Sequence, residues 1–213
     1  MSLLPGIAAA PLRLTRPGLR LCLWSGWLAD APDLLPRLHG EIPWRQETIS
    51  VWGRSHPVPR LTCWMGEAGA VYRYSGLRLT PEPWTPLVRS LSRRVEEAAG
   101  CRFHAVLLNL YRDGDDRMGW HADDEPDLDP EAPIASLSLG ATRRFQLRSL
   151  RPDEDGRRET IGLDLGDGDL LLMAPPTQRH WQHQLPRRRG VRTPRLNLTF
   201  RRLAHFPGSV PIP

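Results

Sequence analysis

The sequence contains no lysine, so all 29 of its basic residues are arginine. Enzymes that need a side-chain ammonium group are therefore excluded together: P-loop NTPases, kinases with a strand lysine and Schiff-base enzymes. The arginine guanidinium is permanently charged and pairs with a carboxylate or a phosphate through two parallel hydrogen bonds. With 24 acidic residues the net charge is +5, which permits a nucleic-acid partner without requiring one.

Cysteine and long apolar runs are also scarce. The three cysteines, Cys22, Cys63 and Cys101, lie far apart and form no CxxC pair. A zinc ribbon, a thioredoxin-like site and a secreted disulfide framework are therefore not expected. No run approaches the roughly 18 apolar residues of a membrane span, and no basic segment precedes the apolar start. We expect a cytoplasmic protein without a membrane partner.

The length of 213 residues suits one domain, which can bury roughly 70% of the surface of the unfolded chain. We expect a flexible N-terminal arm over residues 1–20, a single domain over residues 21–205 and a tail over residues 206–213, because both ends are irregular and rich in proline or small residues.

Short strands dominate the expected secondary structure. Residues 48–75 alternate in short extended pieces that are typical of hairpins, and a helix is expected from Thr85 to Gly100, with a shorter one over residues 30–39. Further strand-like segments follow from Phe103: HAVLLNLY, GWHAD, IASLSLG, RFQLR, DLLLMA, HWQHQL and RLNLTFR. The charged segment RPDEDGRRET reads as a solvated hairpin loop. The pattern predicts a mainly β sandwich or barrel with flanking helices.

One spacing indicates a metal site. His121 and Asp123 are separated by one residue in an extended segment, so their side chains point to the same face. A third ligand is needed, and His183 lies 62 positions downstream, although His180 and His205 are alternatives by residue type. Two histidines and one carboxylate leave open metal positions, as in non-haem Fe(II) oxygenases. The alternative is a surface hydrogen bond between neighbouring His and Asp side chains.

A polar stripe in the last strand indicates an anion site. Arg195, Asn197, Thr199 and Arg201 share one face of RLNLTFR, because side chains alternate along a strand. A buried stripe of this composition needs an anionic ligand. The alternative is an exposed basic face, with the apolar residues between them turned towards the core.

Several motifs carry a family resemblance. NLYRDGDDRMGWHADDE, PIASLSLGATRRF, HWQHQLP and PRLNLTFR resemble the AlkB family of Fe(II)- and 2-oxoglutarate-dependent oxygenases, and VWGRSHPVPR and YRYSG resemble its duplex-DNA repair members. The resemblance covers roughly residues 50–203. It implies a double-stranded β-helix, or jelly roll, over residues 103–203, preceded by a nucleotide-recognition hairpin region over about residues 48–80.

The resemblance also implies a cofactor site. Fe(II) would be held by His121, Asp123 and His183, and the two carboxylates of 2-oxoglutarate would pair with Arg195 and Arg201. The remaining expected cosubstrate residues are Asn109, Tyr111, Asn197 and Thr199. O2 would take the open metal position, and hydroxylation of an N-methyl carbon would release succinate and formaldehyde.

A damaged base in a duplex must be flipped out of the stack to reach such a site. The implied nucleic-acid contacts are Val51, Trp52, Gly53, Arg60, Tyr72, Tyr74, Asp124, Glu125, Arg187, Arg188 and Arg189. Trp52 stands where the family usually has phenylalanine, as a wedge that fills the hole left by the base. Tyr74 and His183 would form the two sides of the base slot. The simpler alternatives are core aromatic residues, a solvated acidic loop and a solvated basic turn.

The expected function is oxidative repair of N-alkylated DNA, single- or double-stranded, by a monomeric enzyme that acts on lesions such as 1-methyladenine and 3-methylcytosine. One alternative is an RNA demethylase on the same scaffold. Another is a catalytically silent nucleic-acid-binding jelly roll, against which the intact HxD motif, the distal histidine and the paired arginines argue. Iron-dependent release of succinate would distinguish an enzyme from a binding module.

Overall fold

The computed structural model describes residues 10–51, 54–74 and 77–206. Its helices are α1 Ala31–Glu41, α2 Pro86–Ala99 and α3 Thr177–His180. Its strands are β1 Leu12–Arg16, β2 Leu19–Trp24, β3 Thr48–Val51, β4 Arg54–Pro57, β5 Leu61–Gly66, β6 Tyr72–Tyr74, β7 Leu77–Leu79, β8 Glu82–Pro83, β9 Ala105–Tyr111, β10 Met118–His121, β11 Ile134–Gly140, β12 Arg143–Ser149, β13 Thr160–Leu165, β14 Leu170–Ala174, β15 Trp181–Leu185 and β16 Arg195–Arg201.

Two sheets form the body of the protein. The large sheet has eight strands in the order β1-β2-β14-β11-β16-β9-β5-β8, and the small sheet has four in the order β10-β15-β12-β13. One apolar cluster joins the two sheets, with Leu107 and Leu171 of the large sheet packed with Phe145, Leu147 and Trp181 of the small sheet. The sheets therefore face each other, and the predicted double-stranded β-helix is confirmed.

The helices cover the other face of the large sheet. A second cluster contains Leu34 and Leu38 of α1 together with Leu91 of α2 and Leu108 and Leu198 of the sheet. This cluster explains why the central strands are buried on both faces. Their inner side chains need not be apolar to hold the fold, because the outer face already packs under the helices.

The expected boundaries of helix α2 are confirmed. The side chain of Thr85 accepts a hydrogen bond from the backbone N–H of Val88 at 3.2 Å, and Pro86 occupies the first helical position. The helix ends at Gly100, which adopts the left-handed conformation with a φ of 62°. These are the usual start and stop signals of a helix.

The expectation of a flexible arm over residues 1–20 is wrong from Leu12 onward. Strands β1 and β2 form an antiparallel hairpin, and β2 joins the large sheet beside β14. The turn is Pro17-Gly18, where Gly18 has a φ of 71° and a side chain would collide with His180. The apolar alternation after this turn is a hairpin signal, and the proline-rich flanks conceal it in the sequence.

The expectation of hairpins over residues 48–75 is partly right. Strands β3 and β4 form one hairpin, and β6 and β7 form another, which extends to Leu79. Strand β5 is different, because it pairs with β9 and lies inside the large sheet. The segment between β12 and β13 is exposed throughout residues 151–160, in agreement with the predicted hairpin loop.

The tail expected from residue 206 begins with a packed residue. The ring of Phe206 stacks on His104 with 4.4 Å between ring centroids.

None of the helices in the described ranges combines the length and apolarity that crossing a membrane requires.

The N-terminal hairpin makes a testable contribution to stability. Leu19 is fully buried between the sheets, whereas Leu12 of the same hairpin is 58% exposed. Leu19→Ala should lower the free energy of unfolding by about 2 to 5 kcal/mol, the usual cost of a buried leucine truncation. Urea unfolding measures this value, with Leu12→Ala as the matched control. Equal effects of the two variants would mean that the hairpin does not dock.

Candidate metal and cosubstrate site

Two histidines meet between the sheets because of strand register. His121 of β10 lies directly opposite His183 of β15 in the antiparallel ladder. Side chains of such paired residues lie close together on one face of a sheet. The two ring centroids are 4.2 Å apart, and His183 also packs against Phe145 at 5.2 Å.

Asp123 completes this group from the loop after β10. The carboxylate Oδ1 lies 3.9 Å from Nε2 of His121, and the potential ligand atoms of His121, Asp123 and His183 all lie within 4.8 Å of one another. The strand itself ends at His121, so the extended segment expected through Asp123 is shorter than predicted. A side chain outside the motif fixes the loop instead: Gln178 accepts a hydrogen bond from the Asp123 N–H at 3.0 Å.

The alternative third histidines lie elsewhere. His180 ends helix α3 and contacts Gly18 at the turn of the N-terminal hairpin. Within the described ranges, neither His180 nor His205 belongs to a group that could hold a metal ion.

The environment keeps both site histidines neutral. Burial lowers the pKa of His183 to about 3, helped by the neighbouring His121, and burial likewise lowers the pKa of His121. Nδ1 of His121 lies 2.9 Å from the backbone oxygen of Gly119, which can only accept a hydrogen bond. Nδ1 therefore carries the proton, and Nε2 keeps the lone pair that a metal ion needs.

Asp123 is a buried carboxylate with one oxygen in use. Burial alone would raise its pKa, but the charge of the buried Arg201 guanidinium holds the pKa below its ordinary value. Nη2 of Arg201 donates to Oδ1 at 2.7 Å, with both side chains almost fully buried. Oδ2 is buried and has no hydrogen-bond partner among the described residues. One ionised oxygen is thus free to bind a cation.

The polar stripe of β16 lines the same cavity. The four stripe residues are all buried on the inner face, while Leu196 and Leu198 on the other face join the cluster beneath the helices. The exposed basic face that the sequence left open is therefore wrong. Strand β16 lies between β11 and β9, which explains why both of its faces are buried.

Arg195 is held at one end of this stripe. Its Nη2 donates to Oγ of Ser138 at 2.9 Å and to Oδ1 of Asn197 at 2.7 Å, and Asn197 in turn donates to Oγ1 of Thr199 at 2.8 Å. Burial lowers the pKa of Arg195 to about 10, which still leaves it charged at neutral pH. Its Nε is buried without a hydrogen-bond partner among the described residues. None of the carboxylates in the described ranges forms an ion pair with Arg195.

Strand β9 supplies the other two expected cosubstrate residues. Tyr111 lies opposite Arg195 in the ladder, with the guanidinium 5.5 Å from the ring centroid. Asn109 lies opposite Asn197, and its Oδ1 accepts a hydrogen bond from Nε of Arg60 at 2.8 Å. Arg60 is only 4% exposed, and its predicted contact with nucleic acid stays a prediction. It belongs to the interior beside the cosubstrate strand.

These residues fit Fe(II) and 2-oxoglutarate. Two neutral imidazoles and one carboxylate with a free oxygen match the ligand set of non-haem Fe(II) sites. The same cavity holds two buried guanidinium groups and one carboxylate, so its walls carry a net positive charge. A dianion with two carboxylates would complete the hydrogen bonding that Arg195 leaves open.

Sequence reasoning missed several residues of the site. Ser136 and Ser138 share the inner face of β11 and hydrogen-bond to Asn197 and Arg195, respectively. Their alternation in IASLSLG was a usable signal. Arg143 is fully buried and donates to three backbone oxygens, those of Asp113, Asp116 and Pro186. No sequence pattern distinguishes it from its exposed neighbour Arg144.

The expected nucleic-acid contacts are only partly described. Asp124 is exposed and Glu125 half-buried, and both line a second cavity that shares Asp123 and Met173 with the metal cavity. Arg187, Arg188 and Arg189 lie exposed in the loop after β15. Val51, Tyr72 and Tyr74 lie in strands whose side chains are not described, and Trp52 and Gly53 lie outside the described residues.

Comparisons with known proteins agree with this site. The model of the 2OG-Fe(II) oxygenase superfamily matches residues 23–201. The chain is 47% identical over 183 residues to the mouse DNA oxidative demethylase ALKBH2, a match that covers 82% of this chain and 76% of the mouse protein. It is 40% identical over 199 residues to the human alpha-ketoglutarate-dependent dioxygenase alkB homolog 3, covering 90% of this chain and 69% of that protein.

The chain belongs to the AlkB family of Fe(II)- and 2-oxoglutarate-dependent dioxygenases. The solved structure of OsALKBH1 has the same fold, with a TM-score of 0.61 at 21% identity, covering 90% of this chain and all of that one. The match of the superfamily model begins at Leu23, near the end of strand β2, and ends at Arg201, the last residue of β16.

The depressed histidine pKa values predict how this AlkB-family site binds metal as the pH changes. Protons compete with a metal ion only below the pKa of the free histidine, and both values lie below 6.5. Affinity for Mn(II), measured by calorimetry, should therefore fall less from pH 7.5 to 6.0 than it would with two ordinary histidines. A site with two histidines of ordinary pKa, about 6.5, would lose about tenfold in Mn(II) affinity over the same pH range.

Two variants locate the metal in that experiment. Asp123→Ala should abolish Mn(II) binding because it removes the anionic ligand, whereas Asp124→Ala should leave binding unchanged because that side chain is exposed. A tenfold loss of wild-type affinity at pH 6.0, or equal behaviour of the two variants, would contradict the assignment.

The role assigned to Arg195 predicts that its loss weakens 2-oxoglutarate binding. Leaving one member of a buried ion pair without its partner costs about 3 to 5 kcal/mol, so Arg195→Ala should weaken 2-oxoglutarate binding to the Mn(II)-loaded protein by at least about a hundredfold. Arg192→Ala is the control, since Arg192 is exposed just before the strand. Arg201 is a less selective test, because it also holds Asp123. Equal affinity in both variants would refute the role.

Proposed function

We propose that this protein repairs alkylated DNA directly, by oxidative removal of N-methyl groups from bases such as 1-methyladenine and 3-methylcytosine. The observation that carries the proposal is the cavity between the sheets, where half-buried His121 and buried Asp123 and His183 lie beside two buried arginines. The 47% identity to a DNA oxidative demethylase supports DNA as the substrate.

We assign the metal to His121, Asp123 and His183, and the two carboxylates of 2-oxoglutarate to Arg195 and Arg201. Iron and 2-oxoglutarate held there would supply the oxidation: O2 would hydroxylate the N-methyl carbon, with 2-oxoglutarate converted to succinate and CO2. The hydroxymethyl group then leaves as formaldehyde and restores the base. The protein itself binds the cosubstrate and the methylated base, orients them and keeps water out of the cavity.

The positions of the arginines divide their tasks. Arg201 touches the ligand Asp123, so it fixes the carboxylate at the metal end of the cavity. Arg195 lies six residues earlier on the same face, at the far end of the stripe, beside Tyr111. A cosubstrate that pairs with both arginines needs one carboxylate for each of them. This arrangement favours a dicarboxylate over a monoacid.

The second cavity suits a cationic base. 1-Methyladenine and 3-methylcytosine carry a positive charge near neutral pH, and Asp124 and Glu125 place carboxylates next to the metal ligand Asp123. Opposite charges attract strongly where solvent is partly excluded. Apolar neighbours such as Leu128 and Ile134 complete the walls and offer contact to a ring. We infer that the flipped base enters from this side.

A turnover assay tests the proposed function. Release of formaldehyde and succinate should be measured with the same 3-methylcytosine in single-stranded DNA, duplex DNA and RNA. Turnover on DNA that requires both Fe(II) and 2-oxoglutarate is the expected result, with none for Asp123→Ala. Faster turnover on RNA than on either DNA would favour the RNA demethylase, and binding without turnover would indicate a silent module.

The wedge role expected for Trp52 predicts a difference between duplex and single-stranded substrates. If its side chain fills the hole left by a flipped base, Trp52→Ala should slow repair in a duplex by roughly ten- to a hundredfold, because base stacking is worth about 1 to 3 kcal/mol. Repair in single-stranded DNA should change little. Initial rates on both substrates measure this, and a melting curve checks the fold. Equal losses on both would reject the wedge.

A further inference from the structure

Two arginines of the basic loop after β15 pair with carboxylates of the protein itself. Nε of Arg187 lies 2.7 Å from Oδ1 of Asp115, and Nη1 of Arg188 lies 3.5 Å from Oδ1 of Asp164. The other oxygen of Asp164 is bound by Arg144 at 3.0 Å. Arg189 is exposed and forms no ion pair with the described residues. We call Arg187, Arg188 and Arg189 the arginine run.

The backbone places Asp115 opposite the arginine run. Gly114 donates to the backbone oxygen of Val191 at 3.0 Å and accepts from the N–H of Arg188 at 2.8 Å. A side chain at Gly114 would collide with the backbone of Arg188, so the two loops approach as closely as only glycine permits. The contact between Asp115 and Arg187 is therefore built into the loop packing.

Arg143 connects the two loops through hydrogen bonds to their backbones. Its guanidinium donates to the backbone oxygens of Asp113 and Asp116 in one loop and of Pro186 in the other, at 2.8 to 2.9 Å. Buried backbone oxygens need such partners, so the loops are held in register. Asp115 and Arg187 thus face each other in the protein before any ligand arrives.

A carboxylate and a DNA phosphate compete for the same guanidinium. Both bind it through charge-assisted hydrogen bonds of similar geometry. The Arg187 guanidinium lowers the pKa of Asp115, so this carboxylate is ionised at neutral pH. Asp115 therefore occupies the Nε edge of Arg187 and competes with any phosphate that approaches this edge.

We propose that Asp115 and Asp164 are internal competitors of DNA phosphate for the arginine run and thereby weaken binding to undamaged duplex. The inference rests on the proposed function, which makes DNA the substrate. It assigns to these two carboxylates a part in specificity: non-specific affinity comes from phosphate contacts, so weakening them leaves more of the binding to the flipped base.

Charge-neutral variants test the competition. Asp115→Asn should raise affinity for an undamaged duplex by about two- to fivefold and increase the salt dependence of binding by about one phosphate contact. The matched control is Glu159→Gln, because Glu159 pairs with Nε of Arg16 at 3.1 Å with similar exposure. Fluorescence anisotropy measures both. An equal rise in the control would show a general charge effect and overturn the proposal.

A double variant separates local competition from long-range attraction. In an Arg187→Ala background Asp115→Asn should no longer raise affinity, because the guanidinium that it frees is absent. Persistence of the full increase would overturn the proposal. Asp164→Asn should raise affinity at least as much, since it frees both Arg144 and Arg188, and no rise would contradict the part assigned to Asp164.

The test stays distinct from that of the proposed function. Repair of a short single-stranded methylated oligonucleotide should be the same in wild type and Asp115→Asn, whereas excess undamaged duplex should slow the variant more. If undamaged duplex slowed repair by wild type and by Asp115→Asn to the same extent, the proposal would be overturned. Complete loss of turnover in the wild type would instead refute the function, while the anisotropy comparison would still decide the competition.

Discussion

The buried ion pair between Asp123 and Arg201 is the interaction on which the rest of the site depends. It joins the loop after β10 of the small sheet to the central strand of the large sheet, with side chains 1% and 2% exposed. It keeps Asp123 ionised although burial opposes this, and it leaves Oδ2 for a cation. Losing one partner would strand a buried charge, at a cost of about 3 to 5 kcal/mol.

Two-sided packing makes such a polar interior tolerable. The strands β9, β11 and β16 bury their outer faces under helices α1 and α2, so their inner faces are free to carry asparagine, serine and arginine. Those groups satisfy one another through the chain from Ser138 and Arg195 to Thr199. Fold stability and site chemistry thus occupy opposite faces of the same strands.

Much of this was accessible from sequence. Alternation predicted the strands from β9 to β16 except β13, and the even spacing of the β16 stripe predicted its common face. The β10–β15 register, which pairs His121 with His183, follows only from tertiary packing. Neither Gln178 nor Arg143 stands in a recognisable pattern, because each acts on backbone atoms far along the chain. The N-terminal hairpin was missed because its turn, Pro17-Gly18, lies among other prolines and glycines.

The central claim is that one cavity binds Fe(II) and 2-oxoglutarate together. An oxygen-free titration followed by visible absorption tests it most directly, because chelation of Fe(II) by a 2-oxo acid produces a charge-transfer band that neither component gives alone. The account predicts a band that needs both components, saturates at equimolar iron and chain, and is missing in Asp123→Ala. A wild-type protein without the band, or an unchanged band in Asp123→Ala, would contradict it.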